Sequence, residues 1–324
     1  MATFVRTQSI DHTVGERGSV SLTVTSGDVR ARGIAGGDAH LRATFEISAS
    51  SEAEADRIFE EVQLHVQRDD GVLSAEDHDS APKTVGSVIG RLFGRAMYEL
   101  SVDAEIPAAA ALRLSTVSSE MEVNGFNGEQ RYRTVSGDLM LSELAGSVRL
   151  ETVSGDATIR ADAPIALQVQ GVSGDVTVVA PVLRSLRANT VSGDIELEAE
   201  LAADGDFRVE TVSGDLVVGL VGSATFEVHG LSTDVSSELD HRLEGQVDRR
   251  RLIIGSGGPR LVFNSMSGDV DVRRPRRIVV VEKSEKPMPA PSVPDQATQL
   301  EVLRALERGE IDVDEATRRL TGGS

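Results

Sequence analysis

Residues 134–138 read Thr-Val-Ser-Gly-Asp, and the last three residues of this stretch recur along much of the chain. Seven perfect Ser-Gly-Asp triplets begin at Ser26, Ser136, Ser154, Ser173, Ser192, Ser213 and Ser267. Two degenerate copies begin at Ser118 and Ser232, and between these two positions the successive intervals are 18, 18, 19, 19, 21 and 19 residues. Such regular self-similarity indicates a repeat architecture.

The residues around each triplet are typical of a tight turn followed by a short β-strand. Apolar and polar residues alternate after the Asp, as in Ile195-Glu196-Leu197, and this period of two indicates a strand with one buried face. The central Gly can adopt a backbone shape that other residues reach only with strain. We therefore interpret these glycines as structural turn residues: Gly137, Gly155, Gly174, Gly193, Gly214 and Gly268.

Between the triplets lies a second short apolar segment, such as Ser147-Val148-Arg149-Leu150. Two short strands and two turns within about 18–19 residues make one coil of a solenoid, and successive coils pair at roughly 4.8 Å. The sequence thus predicts a mainly β fold, a single-stranded β-solenoid over residues 113–282. An antiparallel β-sandwich is the rival, but it does not explain near-identical motifs at near-constant intervals. The 35 residues from Ser232 to Ser267 predict a coil that has lost the motif or carries an irregular loop.

The N-terminal region, residues 1–112, is predicted to begin and cap the solenoid. Strands are expected around the first triplet, a short helix at residues 51–62 with Ser51 as its cap, and a strand pair near residues 62–76. Residues 80–96 contain three spaced glycines and are interpreted as a loop, with a membrane-contacting helix or a part of the cap as alternatives.

The C-terminal region differs in composition from the repeats. Residues 283–296 are rich in Pro, Lys and Ser and are predicted to form a linker. Residues 297–324 are predicted to form a helical hairpin, whose second helix begins at a capping box with Asp312 and Glu315. The basic cluster at residues 273–277 is interpreted as a solvated edge of the last coil, with anionic lipid or an acidic face of another subunit as alternatives.

Composition excludes several kinds of site. The chain has no cysteine, so disulfides and thiolate metal sites are excluded, and its net charge of −19 disfavours nucleic acid as a partner. It has neither a signal-like N-terminus nor an apolar run long enough to cross a membrane, so we expect a cytoplasmic protein with at most peripheral envelope contact. The six histidines are scattered without ligand or triad spacing, so we predict no catalytic residue and no cofactor.

Stacked coils would align one aspartate per coil into a column: Asp138, Asp156, Asp175, Asp194, Asp215, Asp234 and Asp269. Neighbouring charges at this spacing repel by roughly 1 kcal/mol in water, a cost that amide hydrogen bonds or a cation must offset. We favour a structural role, in which each Asp caps its own turn. The alternative is a calcium ladder along Asp138, Asp156, Asp175, Asp194 and Asp215, although the motif lacks the closely spaced glycines of calcium-binding repeats.

The Thr-Val-Ser-Gly-Asp copies at 134–138, 152–156, 190–194 and 211–215 resemble the bacterial β-strand-repeat family labelled "putative adhesin". The tail from Leu300 to Leu320 is similar to the short SHOCT-like helical module that often accompanies that family. The resemblance implies no enzymatic activity and no transferable site residue, and it links the chain to cell-envelope stress responses. Here the module follows the repeats, whereas in the family it more often precedes them.

We therefore predict a non-enzymatic scaffold or interaction protein that binds a protein partner or itself, in part through the C-terminal helices. A self-assembling protein of the bactofilin kind and a carbohydrate-active enzyme on a β-helix are the alternatives. The irregular ends of the repeat region disfavour the first, and the second requires acidic groups gathered in a cleft rather than in a regular column.

Overall fold

The structure is a computed structural model that describes residues 2–77, 98–246 and 248–276. The loop predicted at residues 80–96, the linker, the helical hairpin and the last residue of the basic cluster lie outside the described residues. Within them the chain is mainly β, and no helix there has the length and apolar character needed to cross a membrane.

The described residues form one α-helix, α1 (Glu52–Val62), and 22 strands that belong to one continuous hydrogen-bonded sheet. The N-terminal strands are β1 Ala2–Thr13, β2 Ser19–Ser26, β3 Asp28–Ile34, β4 Asp38–Ala49, β5 His65–Asp69, β6 Val72–Glu76 and β7 Tyr98–Pro107. The central strands are β8 Ala111–Ser118, β9 Met121–Asn124, β10 Glu129–Thr134, β11 Leu139–Thr152, β12 Ala157–Gln170, β13 Val176–Asn189, β14 Ile195–Leu201, β15 Phe207–Glu210 and β16 Leu216–Val221. The C-terminal strands are β17 Ala224–Ser232, β18 Val235–Ser237, β19 His241–Gln246, β20 Arg249–Ile254, β21 Arg260–Ser267 and β22 Val270–Arg273.

Each central coil has two faces that meet at the Ser-Gly-Asp corner. We call the strands that lead into this corner the front face and those that follow it the back face. Parallel pairing joins Leu139 to Ala157, Ala157 to Val176, and Val176 to Ile195, so the coils are 18 or 19 residues long, as predicted. The solenoid-like arrangement therefore extends through the middle of the described chain, and the predicted division at residue 112 falls within β8.

The coils at the C-terminal end are not stacked in chain order. The front strand β21 lies between β15 and β17, and the back strand β22 lies between β16 and β18. The coil that contains Ser267 is thus inserted between those of Ser213 and Ser232. The prediction of a degenerate coil between Ser232 and Ser267 is wrong, because the intervening residues form the antiparallel hairpin β19–β20.

The N-terminal end has the same inversion. The first coil, β2 and β3, lies between the coil made by β6 and β7 and the coil made by β8 and β9. Strand pairing at this end therefore places the first coil of the sequence inside the stack, where both of its edges are hydrogen-bonded.

Antiparallel strands extend both ends of the ladders. β4 pairs with β7 and β1 pairs with β4, while β20 pairs with β17 at the other end. The helix α1 begins at the N-cap Ser51, as predicted, and packs on β4, where its Phe59 ring meets Phe45 edge-to-face at 5.4 Å. These additions extend the sheet beyond the coils at both ends.

The core between the two faces is filled mainly by Val, Leu, Ile and Ala. The core also holds a buried polar pair: the Tyr132 hydroxyl donates to the Gln130 Oε1 atom at 3.1 Å, and the Gln130 amide donates to carbonyl oxygens of Phe126, Gly128 and Ala145. Because these groups satisfy one another, the pair is compatible with an apolar interior.

Candidate interaction surface

The Ser-Gly-Asp corner positions every exposed column described below. Gly155 has a φ of +122°, and a Cβ atom there would lie 2.4 Å from the carbonyl oxygen of Gly137 in the neighbouring coil. Gly137, Gly174 and Gly193 share the positive φ, whereas Gly214 and Gly268 lack it but approach the neighbouring coil as closely. The six predicted turn glycines therefore form one column that brings consecutive corners into contact.

The aspartates of the corner form a hydrogen-bonded column. The Oδ1 atom of every aspartate but the last accepts from the backbone N–H of the aspartate in the next coil. The six bonds are 2.7–3.0 Å long and follow the spatial order Asp138, Asp156, Asp175, Asp194, Asp215, Asp269 and Asp234. The amide therefore belongs to the neighbouring coil, not to the residue's own turn as we had predicted. All seven aspartates are exposed. The alternative of a calcium ladder along this column stays a prediction.

An apolar ladder runs along the margin of the front face, one residue before the Ser of each corner. It consists of Val117, Val135, Val153, Val172, Val191, Val212, Met266 and Leu231, in spatial order. These residues are 43–76% exposed. The ladder is thus a continuous apolar ridge on an otherwise acidic chain, and ridges of this kind are typical of interaction surfaces.

The exposure of this ladder is not predicted by the repeat alone, in which the apolar residue before Ser is only one of several apolar positions. Strand alternation contained the signal: Tyr132 and Thr134 are buried, so Val135 points outward.

An arginine ladder runs parallel to the apolar ladder on the front face. Arg113, Arg131, Arg149, Gln168, Arg187 and Arg208 occupy the same position in six consecutive coils. Intramolecular carboxylates hold most of these guanidinium groups: Arg131 and Arg149 contact Glu151 at 2.6 and 3.1 Å, and Arg187 contacts Asp206 at 2.9 Å. The arginines are therefore oriented across the face.

Glu151 shows the electrostatic character of this face. Burial of its carboxyl raises its pKa, but the hydrogen bond from Arg131 and the charges of the surrounding arginines outweigh that effect and hold the pKa below its ordinary value. The carboxylate stays charged near neutral pH, so it continues to anchor the arginine ladder.

Between the two ladders lies a polar column. A shallow groove runs between this column and the apolar ladder, and a second groove runs along the arginine ladder. The column is formed by Arg133, Glu151, Gln170, Asn189 and Glu210. The front face therefore presents three parallel rows of side chains, each repeated once per coil.

The back face carries acids that bind the basic cluster near residue 273. Arg273 contacts Asp271 at 2.6 Å and Arg276 contacts Glu196 at 3.2 Å. Residues 274–276 stay exposed, as expected of a solvated edge, and contacts with anionic lipid or another subunit stay predictions. In the described part of the chain, no three His, Asp or Glu side chains converge on a metal position.

One family model matches part of the chain. The sequence model of the Toastrack DUF4097 family matches residues 97–182. A search of curated proteins gives no match. The matched residues include the triplets at Ser136, Ser154 and Ser173, and the similarity of the tail to a SHOCT-like module stays a prediction.

Three solved structures illustrate the similarity. A "putative adhesin" from Bacteroides fragilis is 14% identical, with a TM-score of 0.34, over 82% of this chain and 97% of its own. A "putative cell adhesion protein" from Clostridium sporogenes is 9% identical, with a TM-score of 0.29, over 83% of this chain and 100% of its own. A "putative lipid binding protein" from Parabacteroides distasonis is 11% identical, with a TM-score of 0.30, over 83% of this chain and 97% of its own.

Proposed function

We propose that this chain is a non-enzymatic interaction protein and that its front face binds a protein partner through the apolar ladder. The observation that carries the proposal is the exposure of eight apolar side chains, one in each of eight stacked coils, along one margin of the solenoid. Burying such a ridge against a partner removes apolar surface from water, which is the main favourable term in protein association. The resemblance of the repeats supports a place for this interaction in cell-envelope stress responses.

The ladder is not required by the fold itself. The corners are joined by backbone hydrogen bonds, such as that from the Ser154 N–H to the Val135 carbonyl oxygen at 2.8 Å, which any residue at the apolar position can make. Thr25 occupies the equivalent position in the first coil, which shows that the corner accepts a polar side chain. A selective pressure other than folding is the simplest reason for an apolar residue in the other coils.

The test is affinity capture from bacterial cytosolic and envelope fractions with three forms of the chain. We expect the native chain and the control M140T, which alters an exposed apolar residue of the back face, to retain a protein that V153T/V172T/V191T loses. Thermal unfolding should show that all three forms are folded. Equal capture by the triple variant and the native chain would contradict the proposal.

A further inference from the structure

We infer that the partner of the front face is a second copy of this chain, aligned parallel to the first about a twofold axis that runs along the solenoid. This inference rests on the proposed function and identifies the partner. It follows from the order of charged and apolar side chains across the coil and from their common spacing.

Within one coil the apolar residue lies between a cation and an anion. In the coil of Val153 these are Arg149 on the front face and Asp156 beyond the corner. The same order returns in other coils as Arg131, Val135 and Asp138, as Arg187, Val191 and Asp194, and as Arg208, Val212 and Asp215. The apolar ladder therefore separates the arginine ladder, which is interrupted at Gln168, from the aspartate column.

The arginine ladder, the apolar ladder and the aspartate column have the same period, because each repeats once per coil at about 4.8 Å. A partner with another repeat length could match only a few of these positions before it fell out of register. A second copy matches them at every coil. Commensurate spacing thus favours self-association over binding to an unrelated surface.

Charge complementarity then selects the arrangement. A twofold axis parallel to the solenoid brings the two apolar ladders together and places the arginine ladder of each copy opposite the aspartate column of the other. An axis across the face would instead place arginine opposite arginine. Isologous twofold dimers are also the commonest form of protein oligomer.

Two copies that each carry a net charge of −19 repel one another overall. Loss of aspartates weakens this overall repulsion, but it also weakens the local attraction between the aspartate column and the arginine ladder of the partner copy. The variant D156N/D175N/D194N changes the net charge from −19 to −16 and so relieves overall repulsion. It keeps an Oδ1 acceptor for the amide of the next coil, so the column of hydrogen bonds survives. The inference nevertheless predicts weaker association, since the anionic side of each contact is gone.

The experiment is sedimentation equilibrium of the full chain over a range of concentrations. We expect the native chain to dimerise and the triple Asn variant to dimerise at least about tenfold more weakly. The control D103N/D162N/E200Q removes three exposed acids of the back face and should dimerise as well as the native chain or better. The variant V153T/V172T/V191T should be monomeric.

Three outcomes would overturn the inference. A native chain that is monomeric at every concentration would exclude a second copy as the partner. If the native chain still captured another protein through the apolar ladder, the proposed function would stand without the inference. A triple Asn variant that dimerises like the native chain would refute the charge arrangement. Open-ended polymers in place of a dimer would refute the twofold axis.

Discussion

The Oδ1 atom of Asp156 accepts a hydrogen bond from the backbone N–H of Asp175, 2.9 Å away in the neighbouring coil. The same bond recurs along the whole aspartate column, so each carboxylate joins two coils rather than closing its own turn. The motif therefore encodes an intercoil bond. The acceptor oxygen, rather than the negative charge, is what this bond requires.

The first prediction separates the acceptor from the charge at Asp194, whose Oδ1 accepts from the Asp215 N–H at 2.8 Å. We expect D194A to lower the free energy of unfolding by about 1 kcal/mol, because it leaves an amide without its partner. D194N should be close to native, since an amide oxygen can accept the same bond. Urea titration of the three forms measures the difference.

If D194N were as unstable as D194A, the charge itself would be needed, as a bound cation requires. Loss of thermal stability of the native chain on addition of a calcium chelator would support the same conclusion and revive the calcium ladder.

The second prediction concerns Gly155, where a Cβ atom would lie 2.4 Å from the Gly137 carbonyl oxygen. G155A should destabilise the chain by at least about 3 kcal/mol, because both the positive φ and the contact with the next coil resist a side chain. Gly222 provides a matched control: its φ is +92° but no atom lies within 4 Å of the Cβ position. G222A should therefore show the conformational cost alone, about 1 kcal/mol.

Denaturant unfolding of G155A and G222A, compared with the native chain, measures both costs. Equal losses in the two variants would show that contact between coils adds nothing at the glycine column.

How far the sequence predicts this fold depends on whether a feature is local to one coil. The spacing of Ser136 and Ser154 predicts coil length because parallel stacking forces equivalent residues into register. Burial of Tyr132 and exposure of Val135 follow from strand alternation once the register is known. The partner amide of Asp156 was missed, because choosing between the residue's own turn and the next coil requires the distance between coils.

Coil order could not be read from the repeat at all. The residue patterns of β21 and β17 both suit a strand beside β15. The hairpin β19–β20 lets the chain turn back, so that β21 is inserted between β15 and β17. The apolar and arginine ladders share this dependence on stacking, since each residue looks like an ordinary strand position until the coils align. Features that arise between coils thus need the three-dimensional structure.

The third prediction concerns His40, whose Nδ1 atom lies 2.6 Å from the Asp11 Oδ1 atom across the pair β1–β4. The hydrogen bond to Asp11 raises the pKa of His40 above its ordinary value of 6.5. Its contribution to stability is fully present below the unfolded-state pKa and is lost as the pH rises through the folded-state pKa. Because His40 is half exposed, we expect a small effect.

The difference in melting temperature between the native chain and H40Q should therefore be larger at pH 5.5 than at pH 8.5. D11N removes the other partner and should shrink the pH dependence in the same way. A difference between native and H40Q that does not change with pH would show that the pair contributes only packing.

The last prediction tests coil order, and the absence of native cysteines makes disulfide trapping unambiguous. Ser213 bridges Ser267, and Ser232 also pairs with Ser267, so Met266 lies between Val212 and Leu231 in the apolar ladder.

Adjacent coils are about 4.8 Å apart and alternate coils about 9.6 Å apart. A disulfide requires Cα atoms within about 7 Å, so only adjacent positions can be joined. We expect V212C/M266C and L231C/M266C to form intramolecular disulfides under mild oxidation, while V212C/L231C forms none within one chain, as peptide mapping of the non-reduced monomer band shows. All three residues are exposed, so unequal access of the oxidant cannot explain the difference. Efficient cross-linking of V212C/L231C, together with free thiols in V212C/M266C, would mean that the coils stack in chain order and that the inserted position of β21 and β22 is wrong.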